Sequence, residues 1–284
     1  GRARLCFFAP EMRQRIIDAA RMEYALREAV SRQQLSVHLQ PQFSLPESGE
    51  PQLCGAEALL RWHDPQLGMV SPATFIPIAE ESGLILELGH WVLEQVCREL
   101  AAMTARGYAL PMAVNVSQVQ FRSSEFVPQV TRLLAQHDFA PELLRMEITE
   151  SLATDDEAAM LEKIDQLAAL GLSFSIDDFG IGYSNLSRLR RMPLKELKID
   201  RSFINDLSHE ESPDTHATGN EIVRAMLMMA RALSLDVVAE GVEETEQLEV
   251  LRRMGCSRVQ GYLLGRPRPM AEVIGDAEAR LSKG

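Results

Sequence analysis

Apolar residues in this chain come in short runs, and run after run stops at an acid or an amide. Cys54–Ala56 is closed by Glu57, Met112–Val114 by Asn115, Leu144–Met146 by Glu147, and Leu172–Ile176 by Asp177 and Asp178. Leu194–Ile199 carries Lys198 and ends at Asp200, Val237–Ala239 ends at Glu240, and Gln260 follows Val259. Short apolar runs bounded by polar residues read as strands buried on both faces of a parallel sheet. Helical spacing fills the intervals. Leu88, Val92, Val96, Leu100 and Met103 line one face of a helix stopped near Gly107, and another helix begins around Ser123. Leu161, Ile164 and Leu167 point inward from a helix with Asp155 and Asp156 in its first turn. Further helices are predicted over Glu221–Leu233, Glu244–Met254 and the carboxyl terminus.

The first elements break this rhythm. An amphipathic helix is predicted over Glu11–Gln33. It is followed by an alternating strand Leu35–Leu39 ended by Gln40 and Pro41, a turn at Pro46–Gly49, and a second strand Leu53–Trp62. Two strands in succession make a hairpin, so one strand should run antiparallel to the rest. About eight strands with interleaved helices predict an α/β fold, a modified (β/α)8 TIM-like barrel with one antiparallel strand. The division expected is 1–33 as linker and helix, and 34–284 as the barrel.

The 284 residues suit a single barrel, and 46% hydrophobic content supports a sizeable core. A formal charge of −12 argues against a nucleic-acid polymer or an anionic membrane as partner. Cys6, Cys54, Cys97 and Cys256 form no C-x-x-C pair, and no apolar stretch is long enough to span a membrane. Both observations fit a cytoplasmic location, with membrane anchoring possible for a parent protein of which this chain is a fragment. Ser208–Asn220, with His209 and His216, reads as a solvated insertion rather than a second metal site.

If the runs are parallel strands, their polar ends meet on one rim. Two carboxylates 4 Å apart repel by roughly 4 kcal/mol at an effective dielectric of about 20, so the pattern itself calls for a cation. Oxygen donors from Glu, Asp and Asn suit Mg²⁺ or Mn²⁺. Adjacent Asp177 and Asp178 can serve one metal each or bridge two, as a two-metal phosphodiester displacement requires. Lys198, flanked by apolar residues, should hold its ammonium inside the rim. Arg61, placed past the end of its strand, suits bidentate phosphate recognition. Glu147 and Glu150 are three apart and point to opposite strand faces, which gives Glu147 to the metal and Glu150 to support of the neighbouring loop. Trp62 and Phe75 fit either base stacking or the core. The acids alone would also permit a barrel enzyme that stabilises an enolate.

These residues lie in ordered motifs: Glu57-Ala58-Leu59-Leu60-Arg61-Trp62, Phe75 through Gly83, Asn115-Val116-Ser117, Glu147-Ile148-Thr149-Glu150-Ser151, Asp177 through Ser184, Leu197 through Ser202, Ala239 through Glu243, and Gln260-Gly261-Tyr262. In this order the chain resembles the EAL-domain cyclic di-GMP phosphodiesterases. The resemblance implies hydrolysis of cyclic di-GMP to linear pGpG with two Mg²⁺ or Mn²⁺ ions, Ca²⁺ being inhibitory. It places Glu57, Asn115, Glu147 and Asp177 on one metal and Asp177, Asp178 and Glu240 on the other. It puts Lys198 on the nucleophilic water, makes Glu240 a candidate general base, and turns Gln40, Leu59, Arg61, Asp200, Glu243 and Gln260 to the substrate or to ordering of the site. Ile181 stands where the family usually has Thr, in a loop that links metal binding to dimer contacts. A catalytically silent receptor for the same ligand is therefore the alternative. A homodimer is expected by analogy, and residues 7–12 resemble the segment that follows a GGDEF domain, so such a domain and sensor domains are expected upstream.

Overall fold

The computed structural model describes residues 10–149, 157–181, 186–207 and 217–281. Glu150, Asp155, Asp156, Cys6, the motif residues 182–185 and most of the polar stretch, 208–216, lie outside the described residues. The strands are β1 (Leu35–Ser44), β2 (Gln52–Asp64), β3 (Gly68–Val70), β4 (Met112–Asn115), β5 (Leu144–Thr149), β6 (Ser173–Phe179), β7 (Leu194–Ile199), β8 (Asp236–Glu240), β9 (Arg258–Gln260) and β10 (Arg268–Pro269). Among the described residues, β1-β2-β4-β5-β6-β7-β8-β9 close into a ring through the pairings of β1 with both β2 and β9. The ring is parallel throughout except at β1, which is antiparallel to both its neighbours. The expected TIM-like barrel with one antiparallel strand is therefore the fold. Its core is the apolar layer between the strands and the helices Ile85–Ala105, Phe126–Gln136, Glu157–Ala169, Ala217–Ala232, Thr245–Met254 and Met270–Leu281.

Several boundaries differ from the sequence reading, each for a long-range reason. β1 continues through Pro41 to Ser44, because on its second side it meets β10 at His38 and Leu39 and β9 at Phe43 and Ser44. Pro41 falls in the gap between those partners, where a residue without an N–H is tolerated. β2 runs on past Glu57 to Asp64, yet only Ala56–Ala58 pair with β4. Glu57 reaches the rim because β4 ends beside it. The remainder of β2 extends beyond the rim, paired with β1 and with the unforeseen β3. Two further helices, Pro72–Ser82 and Gln118–Arg122, went unread, and Ala217–Asn220 belongs to the helix after the polar stretch.

The extension of β2 is covered by a second, smaller core. Leu26 and Ala29 of the N-terminal helix Pro10–Ala29 pack with Leu35, Trp62, Val70, Phe75 and Ala79. Trp62 and Phe75 meet edge to face at 5.6 Å, both fully buried, so they are core and not base-stacking residues. Cys54, Cys97 and Cys256 are free thiols, and no described helix is long and apolar enough to cross a membrane. Trp62→Ala should cost about 3–5 kcal/mol by emptying this cluster, read as a lower urea midpoint in equilibrium unfolding.

Candidate active site

The rim is organised by Lys198. Alternation along β7 turns Lys198 toward the barrel axis, and its side chain is 1% exposed. Its Nζ lies 2.7 Å from Glu240 Oε1, 2.9 Å from Glu147 Oε2, 3.2 Å from Asp177 Oδ1 and 3.5 Å from Glu57 Oε2. Four strands thus deliver one carboxylate each to one ammonium. Burial alone would push Lys198 toward neutrality, but the surrounding carboxylates outweigh it and hold its pKa well above the ordinary lysine value.

The acids respond unequally. Burial raises Glu240 to about 8, and repulsion from Asp177 and Glu57 adds to it against the pull of Lys198. Burial and three neighbouring acids raise Glu147 well above its usual range. At Glu57 burial also pushes upward, but Lys198 and two amide donors prevail and its pKa is lowered. Those donors are Asn115 Nδ2 and Gln260 Nε2, each 2.6 Å from a different Glu57 oxygen. Gln260 in turn accepts from Gln42 Nε2 at 2.9 Å and donates to Gln40 Oε1 at 3.2 Å. Gln42 was missed from the sequence. Its signal was alternation with Gln40, hidden once Pro41 was read as a strand end.

Asp177 and Asp178 diverge. The β6–β7 ladder shifts register between Ile176 and Phe179, and Asp178 takes the left-handed conformation at φ +54° that Asp tolerates better than most residues. Asp177 turns to Lys198, while Asp178 is exposed and its N–H donates to Asp177 Oδ1 at 3.0 Å. Partial burial, then Asp177 and Asp200, raise the Asp178 pKa.

A cleft of about 190 Å³ opens beside this cluster. Gln40, Leu59, Asp200, Glu243 and Gln260 line it together with Glu57 and Glu240. Arg61 is not among its walls. It sits within β2 rather than past its end, half-buried, donating from Nη1 to the Leu60 carbonyl at 2.9 Å. Asp200 is pinned as a helix cap, accepting from the Ser202 N–H at 2.9 Å and from the Ser202 hydroxyl at 2.5 Å. Sequence reasoning left out Arg201 and Tyr262, which complete the cleft; Tyr262 carries the Arg266 guanidinium 4.2 Å above its ring. The loops after β8 and β9 are joined by Val242 N–H to Gln260 O at 3.1 Å and Leu263 N–H to Val242 O at 3.1 Å. Any side chain at Gly261 would run into the Val242 backbone, so only glycine lets the two loops meet.

The donor set suits a hard cation. Its groups are carboxylate and amide oxygens, and Glu147 Oε1 is buried without a hydrogen-bond partner. Among the described residues no three His, Cys, Asp or Glu side chains stand at metal-holding spacing, because the carboxylates are drawn around Lys198 and Asp178 turns outward. Of the two expected ligand sets, Glu57, Glu147, Asp177 and Glu240 meet at the ammonium, Asn115 joins through Glu57, and Asp178 faces outward; Glu150, expected to support the neighbouring loop, lies outside the described residues.

Residues 23–267 match the EAL domain family. The chain is 42% identical over 275 residues to the bifunctional diguanylate cyclase/cyclic di-GMP phosphodiesterase MucR of Pseudomonas aeruginosa, a match covering 96% of this chain and 39% of that protein. It is 36% identical over 269 residues to the cyclic di-GMP phosphodiesterase PdeR of Escherichia coli, covering 95% of this chain and again 39% of the relative. This chain thus spans well under half of the length of either relative. The solved structure of the PaMucR phosphodiesterase in complex with c-di-GMP superposes with a TM-score of 0.82 at 44% identity, over 89% of this chain and 99% of that one. By its sequence match and its fold, the chain belongs to the EAL-domain family.

Proposed function

We propose that this chain hydrolyses cyclic di-GMP to linear pGpG with two divalent cations, Mg²⁺ or Mn²⁺, and so lowers a bacterial second messenger. The observation that carries the reading is the rim itself: four carboxylates around one ammonium, with a buried Glu147 oxygen left unpartnered. The names of the relatives, and the ligand in the PaMucR structure, support the substrate.

In the reaction the oxygen of water joins phosphorus, the bond from phosphorus to a 3′-oxygen breaks, and the ring opens to a 5′-phosphate and a 3′-hydroxyl. Glu57, Asn115, Glu147 and Asp177 would hold one cation, and Asp177, Asp178 and Glu240 the other. When bound, the pair supplies Lewis acidity to the attacking and leaving oxygens. Lys198 would hold the attacking water and bring a fixed positive charge to the point where negative charge develops. Asn115 and Gln260 fix the Glu57 carboxylate, and Gln40 and Gln42 fix Gln260, so the rim is ordered before substrate arrives. Gln40, Leu59, Asp200, Glu243 and Gln260 face the dinucleotide from the cleft walls. Arg61, on β2 and close enough to Tyr262 and Glu57 to feel their charge, would add positive charge for the substrate phosphate. Glu240, with a cation bound beside it, is also a candidate to take the proton released by water. The bifunctional name of the Pseudomonas relative supports an upstream diguanylate cyclase-like domain in the parent protein; sensor domains before it and a homodimeric assembly belong to the same proposal. Ile181, 63% exposed beside Asp178, favours the second reading, a receptor that binds without turnover.

Purified chain with Mg²⁺ or Mn²⁺ should convert cyclic di-GMP to pGpG, while Ca²⁺ supports binding with little turnover because its looser coordination positions the reacting groups poorly. Absence of product with either active ion, beside a working control, overturns the hydrolase; tight binding in that case selects the receptor.

Lys198→Met should lower kcat by roughly 100-fold or more, as loss of a preorganised positive donor does. Without metal it should also destabilise the fold by about 3–5 kcal/mol, since the carboxylates lose their counter-charge. Chemical denaturation with and without Mg²⁺ checks this, and the ion should recover part of the loss.

A pH dependence follows from Glu147 and Glu240. Their raised pKa values mean that the folded protein holds protons the unfolded chain releases near 4.5. That stability is full below 4.5; the Glu240 share is lost as pH rises through about 8, and the Glu147 share as pH rises through its own raised pKa. Metal-free protein should therefore melt at progressively lower temperature from pH 5 to pH 8. The gain in melting temperature on adding Mg²⁺ should grow over the same window, because the ion replaces the protons. Glu57 acts in the opposite sense only below 4.5. A metal-dependent gain that is flat with pH would contradict the assignment.

A further inference from the structure

Beneath the rim, the barrel axis holds a second charged layer that the proposed reaction does not use. Glu196 is fully buried and faces inward two residues before Lys198 on β7. Its Oε2 accepts from Arg145 Nη1 of β5 at 2.5 Å and from Arg258 Nη1 of β9 at 2.6 Å. Contacts to strands on either side of the ring place Glu196 inside it, as the contacts of Lys198 do. Its other oxygen, Oε1, is buried and has no hydrogen-bond partner, and neither has the Ser175 hydroxyl, which sits at the same register on β6.

This arrangement gives Lys198 two directions. Residues two apart on one strand face stand roughly 6.6 Å from each other, well within the span of the four-carbon stem of lysine. Above the ammonium lie the rim carboxylates; one face position below it on β7 lies Glu196, whose Oε1 has no hydrogen-bond partner. A lone buried carboxylate in that position would be a strong competing seat, since an unpaired buried charge is among the costliest groups in a fold. Two guanidiniums on its other oxygen remove most of that attraction. Cations at the rim make the competition keener, because they take over the neutralisation of the carboxylates that now hold the ammonium upward.

We infer that Arg145 and Arg258 are positioning residues for the reaction proposed above: by clamping Glu196 they keep the Lys198 ammonium on the rim. They touch neither substrate nor metal, and they act only through the carboxylate they neutralise. The inference rests on the hydrolase reading for its kinetic consequence but not for its geometry.

The test replaces the clamp and then the carboxylate. Arg145→Met with Arg258→Met should lower kcat by about tenfold or more with a smaller change in KM, the pattern of a lost transition-state contact. Adding Glu196→Gln should restore most of kcat, because the neutral amide no longer attracts the ammonium. Should the double variant fail to fold, Arg258→Gln alone keeps the Arg145 contact and carries the same comparison with a smaller loss. An arginine variant that melts normally yet keeps full kcat overturns the inference, as does a loss of kcat that Glu196→Gln leaves in place. A crystal structure of Arg258→Gln reads the geometry without turnover. Nζ of Lys198 moved from Glu147 to ion-pairing distance of Glu196 supports the inference, and Nζ still seated on Glu147 and Glu240 overturns it. Wild-type protein assayed alongside separates this from the function: if it is inactive, the hydrolase reading falls while the crystallographic arm still decides the clamp.

Discussion

One buried ammonium sets the terms for everything at this end of the barrel. Lys198 could not remain charged at 1% exposure without acids around it, and the acids could not crowd together without it. Each partner comes from a different strand: Glu57 from β2, Glu147 from β5, Asp177 from β6 and Glu240 from β8. A closed ring of parallel strands is what allows this, since it turns polar residues of distant segments toward a single axis at one height. An open sheet would spread the same residues along an edge. The antiparallel β1 contributes differently. At rim height it offers side chains from mid-strand, and these are the neutral Gln40 and Gln42. Through Gln260 they orient Glu57 without adding charge to a layer that already has too much of one sign.

Charge alternates in layers down the axis. The rim is acidic around a single cation, and the layer beneath is an acid held between two guanidiniums, with Asp236 also on Arg258 at 2.9 Å. The side chains that form both layers sit on alternate positions of the same strands: Arg145 and Glu147 on β5, Ser173, Ser175 and Asp177 on β6, Glu196 and Lys198 on β7. TIM-like barrels generally fill this space with branched apolar residues. Here the interior positions of β5, β6 and β7 named above are polar or charged, and the apolar core lies outside the ring, between strands and helices. Packing therefore holds the barrel shut while electrostatics orders its lumen. The two can be perturbed separately.

What the sequence disclosed follows the same division. Strand ends were visible where a short apolar run stops at an acid or amide, so Asn115, Asp177 and Glu240 announced themselves locally, whereas Arg145 and Glu196, within their strands below the rim, did not. Lys198 was visible because a cation inside an apolar run has few places to go. Features set by partners were not visible. Glu57 lies in the middle of β2, and only the short reach of β4 makes that position the rim. Pro41 looks like a terminator until its strand is seen to straddle two short neighbours. Arg61 was placed beyond a strand end that lies further on, and Asp178 was not seen to turn away from Asp177 through a register shift. Trp62 and Phe75 were undecided because the cover over β2 comes from the distant N-terminal helix Pro10–Ala29, and no local spacing records such a contact.

The sign of the rim also constrains how the proposed ligands enter. The chain carries a net charge of −12, and the proposed substrate is a dianion, so their long-range interaction is repulsive apart from screening over about 10 Å at 0.1 M salt. Close in, Lys198 is outnumbered by the carboxylates it serves. Without cations the cleft beside Glu57 and Glu240 would repel phosphate; with them the local sign reverses. Affinity for cation and for dinucleotide must then rise together, and by linkage each strengthens the other by the same factor. In the proposed reaction the excess acid at the rim would act as control: protons and Lys198 hold the acids in place in the folded barrel, and a phosphodiester would be admitted only once cations had reversed the local sign.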